Sequence, residues 1–215
     1  MNNIAACIFD LDGVVVDTAK YHFLAWRRLA NELGFEFTEE DNESLKGVSR
    51  MKSLEILLEI GKKSFNEETK LKLAEKKNNW YVEYISRIDE SEILPGVKAF
   101  MAALKSNGIK IALGSVSKNA LTILNGIKLA EYFDVIIDGN KVANAKPDPE
   151  VFLKGAEELG VSPKNCVVFE DASAGIEAAI NAGMYSIGIG SEIILNRANK
   201  VILGFKDLTL SILDF

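Results

Sequence analysis

Near its N-terminus the chain reads IAACIFDLDGVVVDT, residues 4–18. A short apolar run ends at Asp10, and a second carboxylate, Asp12, follows shortly after and is itself followed by Gly13. Short apolar runs bounded by turn residues are typical of buried strands. Carboxylates at the end of a buried strand are costly unless a positive charge joins them. The stretch therefore predicts both a strand of the central sheet and a functional site at its end.

The composition is that of an ordinary globular protein. The 215 residues are 48% apolar and 26% charged, and the net charge of −6 disfavours nucleic acid or an anionic membrane as the main partner. No apolar run approaches the length of a membrane span, and the N-terminus lacks the pattern of a signal peptide. Cys7 and Cys166 lie in apolar, strand-like runs, so we expect buried, unpaired thiols and a cytoplasmic protein.

From about residue 90 onward, apolar strands alternate with amphipathic helices. This alternation predicts an α/β fold, a doubly wound parallel sheet with helices on both faces. Gly108, Gly160 and Gly183 follow three of the helices, where a helix end favours a residue that tolerates positive φ. The predicted strands are 4–9, 109–114, 134–138, 166–170 and 185–190, and the predicted helices are about 97–106, 118–128, 149–159 and 173–182.

Residues 19–88 do not follow this alternation and show only helical periodicity. One helix ends at Gly34, a second begins after the N-cap Ser49, and a third spans about 67–86. No strand is evident in this stretch. We therefore expect an all-α domain of residues 17–89, inserted into an α/β core of residues 1–16 and 90–215.

Polar side chains follow several of the predicted strands. In an open α/β sheet, ligands bind beyond the carboxyl ends of the strands. Ser115 ends one strand and Lys146 follows another, so both are placed to hold phosphate oxygens beside a cation. Oxygen ligands favour a hard ion, and Mg²⁺ typically takes one or two carboxylates plus waters and phosphate. The candidate ligands of one Mg²⁺ are Asp10, Asp12, Glu170 and Asp171.

Two acids so close together suit the chemistry of phosphoryl transfer. Asp10 is a candidate nucleophile that forms an aspartyl phosphate. Asp12 is a candidate general acid and base for the leaving and accepting oxygens. Gly13 would let the loop backbone approach the phosphate closely.

Four segments of the chain resemble the signature segments of the haloacid dehalogenase superfamily of phosphotransferases. They are DLDGVVVDT (10–18), the strand end at Ser115, AKPDPEVF (145–152) and FEDASAGI (169–176). The resemblance covers nearly the whole chain and implies a Rossmann-like core, with the helical insert acting as a cap. Within the superfamily, LKGVSR (45–50) and SVSKN (115–119) make the chain similar to mutases that act on glucose phosphates.

The resemblance implies that the partners are a sugar phosphate and glucose 1,6-bisphosphate, and that a second cationic site holds the distal phosphate. It also implies that cap closure excludes water and that His22 helps to align Asp12. A monomer is expected because the cap must move freely. The implied distal phosphate site is Arg50, Ser117, Lys118 and Asn119. The implied cap residues at the substrate are Thr18, His22, Trp26, Gly47, Val48, Ser53, Lys77 and Asn78.

Three activities stay open on the sequence alone. The first is a mutase that interconverts β-D-glucose 1-phosphate and glucose 6-phosphate through an aspartyl phosphate and the 1,6-bisphosphate. The second is a Mg²⁺-dependent phosphatase of small sugar phosphates, which needs no distal phosphate site. The third is a signalling receiver phosphorylated on aspartate, which needs no helical lid.

Several candidate residues also have an ordinary structural interpretation. Trp26 fits the core of the insert as well as it fits a sugar contact. Asp171 can be a helix N-cap as well as a metal ligand, and Lys77 can be a solvated surface charge. Val116 stands where the resemblance would favour Ala or Ser, which bears on sugar specificity.

Overall fold

A single parallel sheet forms the centre of the molecule. The structure, a computed structural model, describes residues 4–215. The strand order is β3-β2-β1-β4-β5-β6, and every pairing is parallel, which confirms the predicted doubly wound sheet. Among the strands of residues 4–215, the short edge strand β6 alone was not predicted. The strands are β1 Ala6–Phe9, β2 Lys110–Gly114, β3 Val135–Ile137, β4 Cys166–Glu170, β5 Tyr185–Ile189 and β6 Lys200–Ile202.

Eight α-helices accompany this sheet within residues 4–215. None of them is at once long and apolar enough to cross a membrane. The helices of the insert are α1 Ala19–Glu32, α2 Glu39–Glu43, α3 Arg50–Ile60 and α4 Glu67–Ile85. The helices that follow it are α5 Val97–Ser106, α6 Ala120–Gly126, α7 Glu150–Leu159 and α8 Ser173–Asn181.

Both faces of the sheet are covered by these later helices. The apolar sides of α5 and α6 belong to one hydrophobic cluster, and those of α7 and α8 belong to a second cluster. Cys7 lies in the first cluster and Cys166 in the second, and both are buried free thiols, as predicted. Successive side chains of a strand point to opposite faces, and this separates the two sulfurs.

The glycines predicted to end helices do follow helix ends in the structure. Gly108, Gly160 and Gly183 have φ of 72°, 67° and 69°, which confirms that each occupies a left-handed position. Ser49 caps α3 by accepting a hydrogen bond from the Lys52 amide at 3.3 Å. These local signals depend only on neighbours along the chain, so the sequence predicts them well.

The insert has a hydrophobic core of its own. Leu29, Leu54 and Leu57 are fully buried in a cluster built from α1, α3 and α4. The short helix α2 was not predicted, although Thr38 and Asp41 form a capping box at its start. The insert is all-α, as expected, and it leaves the sheet directly after β1.

The strand order reverses direction between β1 and β4. These strands are paired with Phe9 opposite Phe169, so Asp10 and Glu170 leave the sheet side by side. At such a switch point the loops diverge and leave a crevice beyond the carboxyl ends of the strands. The insert follows β1 and therefore begins beside this crevice.

Candidate active site

A buried lysine joins two buried carboxylates at the switch point. The Nζ atom of Lys146 donates hydrogen bonds to Asp10 Oδ1 and to Glu170 Oε1, each at 2.5 Å. The Lys146 and Glu170 side chains are fully buried. Burial alone would lower the pKa of Lys146, but the two carboxylates more than offset this and raise it. Lys146 is therefore a fixed cation beside Asp10.

Three carboxylates lie close enough to hold one metal ion. Oxygen atoms of Asp10, Glu170 and Asp171 all lie within 4.8 Å of one another. Burial, with a smaller effect of neighbouring acids, raises the pKa of Glu170 to about 7 and that of Asp171 well above its usual value. Hard oxygen donors with no nitrogen or sulfur fit an ion such as Mg²⁺. The Asp12 side chain, expected as a fourth ligand, lies outside this group.

Asp12 is turned toward the insert instead. Its Oδ1 accepts a very short hydrogen bond from the Thr18 hydroxyl, and the Tyr81 hydroxyl lies 3.5 Å away. The Nε2 atom of His22 is 3.8 Å from the same oxygen. Burial, and then the charge of Asp10, raise the pKa of Asp12 to about 6. The carboxyl group can thus gain and lose a proton near neutral pH.

His22 belongs to a small group of packed side chains between helices α1 and α4 of the insert. Its ring lies 3.9 Å from the ring of Tyr81, and its Nδ1 lies 2.8 Å from Lys77 Nζ. Burial, Lys77 and Arg50 lower the pKa of His22, so the imidazole is neutral at pH 7. Lys77 is only 2% exposed, which contradicts the solvated-charge interpretation. Trp26, at 2% exposure, lies in the core of the insert, which favours its structural interpretation over a sugar contact.

The segment after β2 forms a compact polar turn. Ser115 is buried, and its Oγ accepts a hydrogen bond from the Ser117 amide at 3.1 Å. The Ser117 hydroxyl accepts another from the Asn119 amide at 3.3 Å, while Lys118 is exposed. Within residues 4–215, Arg50 has no hydrogen bond or ion pair to this turn, so the structure does not join the expected distal phosphate site by direct contacts. Val116 is half-buried between the two serines.

The insert touches the core around the acid cluster. Asn119 Nδ2 donates to Asn78 Oδ1 at 3.1 Å, which links the polar turn to α4. Gly47, with φ of 71°, lies so close to the core that an added Cβ would be 3.0 Å from that of Ala172. Lys46 Nζ lies 3.9 Å from Asp171 Oδ2. The insert therefore covers the crevice.

Sequence reasoning missed two of these residues. Lys46 lies within the LKGVSR segment (45–50), and the resemblance carried by that segment does not single out the lysine. Tyr81 lies one helical turn after Lys77, so the spacing alone places both on the same side of α4.

The remaining candidates are placed less directly. Val48 is half-buried. Ser53 is buried, and its hydroxyl lies 3.5 Å from the carbonyl oxygen of Leu45 within the insert. The Asp171 N-cap interpretation is wrong: α8 is preceded by Ala172, whose amide donates to Glu170 Oε2 at 2.9 Å. Asp171 is thereby left free to face the cluster.

Gly13 packs directly against a carboxylate of this cluster. Its φ is 80°, and an added Cβ would lie 2.2 Å from Asp171 Oδ2, so close approach to a carboxylate explains the residue. We expect Gly13→Ala to destabilise the fold by about 1–3 kcal/mol through strain and to weaken the binding of divalent cations. Thermal unfolding with and without MgCl₂ measures both effects.

Gly108→Ala is the matched control for this variant. Gly108 has φ of 72° with nothing within 4 Å of the added Cβ, so it shares the backbone strain but not the clash. An equal response of both variants to MgCl₂ would show that the position of Asp171 does not matter for the cation.

Comparisons with known proteins agree with this geometry. A model of the haloacid dehalogenase-like hydrolases matches residues 4–183. The β-phosphoglucomutase of Bacillus subtilis (strain 168) is 42% identical over 210 residues, covering 97% of this chain and 93% of the relative. A phosphorylated carbohydrates phosphatase of Thermotoga maritima is 38% identical over 185 residues, 85% of this chain and 83% of the relative. The crystal structure of β-phosphoglucomutase from Clostridium difficile superposes with a TM-score of 0.93 at 48% identity, covering 98% of this chain and 96% of that one.

Proposed function

Because the chain belongs to the haloacid dehalogenase-like hydrolase family, we propose that it is an enzyme that interconverts β-D-glucose 1-phosphate and glucose 6-phosphate. The two β-phosphoglucomutases described above match almost the whole chain, at 42% and 48% identity. The enzyme is an intramolecular phosphotransferase. The crevice under the insert holds the acids that such a transfer requires.

The chemistry begins at Asp10. A carboxylate oxygen of Asp10 attacks one phosphorus of glucose 1,6-bisphosphate, the bond from that phosphorus to the sugar oxygen breaks, and an aspartyl phosphate and a glucose monophosphate form. Lys146, 2.5 Å from Asp10, offsets the negative charge of the phosphoryl group. Protonated Asp12 donates its proton to the departing sugar oxygen. In the return step, Asp12 takes a proton from the free hydroxyl of glucose 1-phosphate, which attacks the aspartyl phosphate. The bond from phosphorus to Asp10 then breaks and the 1,6-bisphosphate forms again.

The acid cluster fits one Mg²⁺ ion per active site. Asp10, Glu170 and Asp171 would hold it, and its charge would neutralise phosphoryl oxygens during the transfer. Glu170 already accepts hydrogen bonds from Lys146 and the Ala172 amide, so Asp10 and Asp171 are the ligands with the freest oxygens. The Asp12 carboxylate is proposed to carry protons and not to bind the metal ion, because it accepts a hydrogen bond from Thr18.

The observation that favours a mutase over a phosphatase is an uncompensated cation under the insert. Arg50, at the start of α3, is partly buried and has no carboxylate within 4.0 Å in the described part of the chain. A bisphosphate intermediate needs such a cation at its far end, with Ser117, Lys118 and Asn119 on the core side. A simple phosphatase does not need one. A receiver domain needs neither this residue nor the insert.

Closure of residues 17–89 over residues 1–16 and 90–215 would protect the aspartyl phosphate from water. The contacts of Lys46, Gly47 and Asn78 with the core support this role of the insert. Thr18 and His22 would set Asp12 at closure. The other residues proposed to line the sugar site are Gly47, Val48, Ser53, Lys77 and Asn78.

We propose a cytoplasmic monomer that acts on small sugar phosphates and requires glucose 1,6-bisphosphate.

The decisive experiment supplies purified protein with Mg²⁺, β-glucose 1-phosphate and a trace of glucose 1,6-bisphosphate. Glucose 6-phosphate is followed with a coupled dehydrogenase, and free phosphate is measured in parallel. Rapid formation of glucose 6-phosphate with little free phosphate supports the mutase. Free phosphate without glucose 6-phosphate would instead assign the phosphatase activity seen among the relatives.

Binding of Mg²⁺ is expected to weaken as the pH falls below about 7. Below about pH 7 the folded chain holds protons on Glu170, whose pKa is raised to about 7, and on Asp171, whose pKa is also raised. These protons must leave before the carboxylates hold a cation, so affinity falls about tenfold per pH unit for each proton displaced. Calorimetric titrations at about pH 7.5 and about pH 5.5 measure the change. An affinity that is equal at both values would contradict the assignment of these ligands.

A further inference from the structure

The insert is attached to the core by two chain segments that run side by side. Val16 in the first segment forms an isolated antiparallel bridge with Ile93 in the second. The Leu94 amide donates to the Val15 carbonyl at 3.1 Å, and the Asp17 amide donates to the Glu92 carbonyl at 2.8 Å. Any movement of the insert relative to the core must bend this ribbon, which we call the hinge ribbon (residues 15–17 and 92–94).

The side chain of Glu92 extends beyond the hinge ribbon to the first turn of α1. Its Oε1 accepts a hydrogen bond from the Tyr21 hydroxyl at 2.7 Å, and its Oε2 accepts one from Lys20 Nζ at 2.6 Å. The Glu92 side chain is 16% exposed, so water competes only weakly for these oxygens. Both carboxylate oxygens are therefore committed to one helical turn.

That turn also carries the groups that hold Asp12. The amides of Tyr21 and His22 both donate to the carbonyl of Thr18, at 3.0 and 3.2 Å. The Thr18 hydroxyl in turn donates to Asp12. A shift of the first turn would move Thr18 and His22 together, and Asp12 would lose the hydrogen bond from the Thr18 hydroxyl.

We propose that Glu92 is a positioning residue, which locks the first turn of α1 to the hinge ribbon and so sets Thr18 and His22 on Asp12 in the closed enzyme. Glu92 touches neither substrate nor the acid cluster; it acts through Tyr21 and Lys20. The proposal rests on the proposed mutase function, because its consequence is the choice between two acceptors. With Glu92 in place, the aspartyl phosphate is delivered to a sugar hydroxyl that Asp12 deprotonates. Without it, water competes for the same phosphoryl group.

The first test measures the ratio of free phosphate to glucose 6-phosphate under the conditions given above. We expect Glu92→Ala to raise this ratio about tenfold, since a small misplacement of a catalytic group is enough to change its efficiency by such factors. Glu92→Gln retains the shape and one acceptor oxygen, so an intermediate rise is expected. Tyr21→Phe removes one of the two donors and should act in the same direction.

Glu32→Gln is the matched control. Glu32 forms an ion pair with Lys76 at 2.5 Å between α1 and α4, entirely inside the insert. Its removal disturbs the insert without touching the hinge ribbon. If Glu92→Ala lowers the rate but leaves the ratio equal to that of Glu32→Gln, Glu92 has only a structural role and the proposal is overturned.

A second test does not depend on activity. Hydrogen exchange of a peptide covering residues 18–24 should be about tenfold faster in Glu92→Ala than in the parent or in Glu32→Gln, because the locked turn opens more often. Unchanged exchange in this peptide would overturn the proposal. If the parent chain makes no glucose 6-phosphate, the proposed function fails, and the exchange measurement alone decides the role of Glu92.

Discussion

Asp10→Asn is expected to lower the rate of glucose 6-phosphate formation by at least about 10⁴-fold. The amide oxygen that replaces the carboxylate is a poor nucleophile, so no covalent phosphoenzyme can form. Asn has nearly the same shape as Asp, and Lys146 keeps its hydrogen bond to Glu170, so the fold should be retained. Acid-quenched reactions with ³²P-labelled glucose 1,6-bisphosphate should label the parent chain and leave the variant unlabelled.

Asp207→Asn, a change of an exposed aspartate outside the acid cluster, is the control and should be labelled like the parent. The circular dichroism and melting temperature of the Asp10 variant show whether it is folded. Labelling of a folded Asp10→Asn protein would mean that another side chain accepts the phosphoryl group.

Lys146→Met is expected to destabilise the protein by about 3–5 kcal/mol at pH 8, in addition to abolishing activity. The methionine fills a similar volume, but Asp10 and Glu170 then face each other in a buried site without a cation. Burial raises the pKa of Glu170, and loss of the Lys146 cation raises it further, so the folded chain binds this proton more tightly than the unfolded chain does. Stability of the variant therefore falls as the pH rises.

The loss of unfolding free energy of Lys146→Met relative to the parent should therefore be smaller at pH 5 than at pH 8, because protonation of Glu170 removes the buried charge. Urea unfolding in the presence of EDTA at the two pH values measures this loss. Lys72→Met, which breaks an exposed ion pair with Glu68, should leave stability unchanged at both. An equal deficit at both pH values would indicate lost packing around Lys146 rather than uncompensated carboxylates.

Much of the fold could be predicted from the sequence because its signals are local. The apolar run before Asp10, the alternation after residue 90 and the glycines at helix ends each reflect a rule that acts within a few residues. α2 escaped prediction because its five residues are all polar and show no apolar periodicity. Trp26 was ambiguous because one helix can present an aromatic ring either to its own core or to a ligand.

The candidate active site could likewise be predicted only in part. Asp10, Lys146 and Glu170 could be selected from the sequence because parallel strands deliver their carboxyl ends to one edge. The side-chain partner of each of these residues could not be predicted from the sequence. Lys146 lies between two acids of the core, and Asp171 is left to face the acid cluster. Asp12 turns to Thr18 because the insert folds back over the crevice.

The sequence by itself thus determined the α/β class, the helical insert and the identity of the acids at the strand ends, since periodicity, turn chemistry and residue type are written along the chain. Only the tertiary structure decided three sets of contacts. They are the ion pairs of Lys146 at the switch point, the approach of Lys46 to Asp171, and the hydrogen bonds of Glu92 to the first turn of α1. These contacts join residues that are 24 to 136 positions apart along the chain. Their energies depend on distance and burial, which no local pattern encodes.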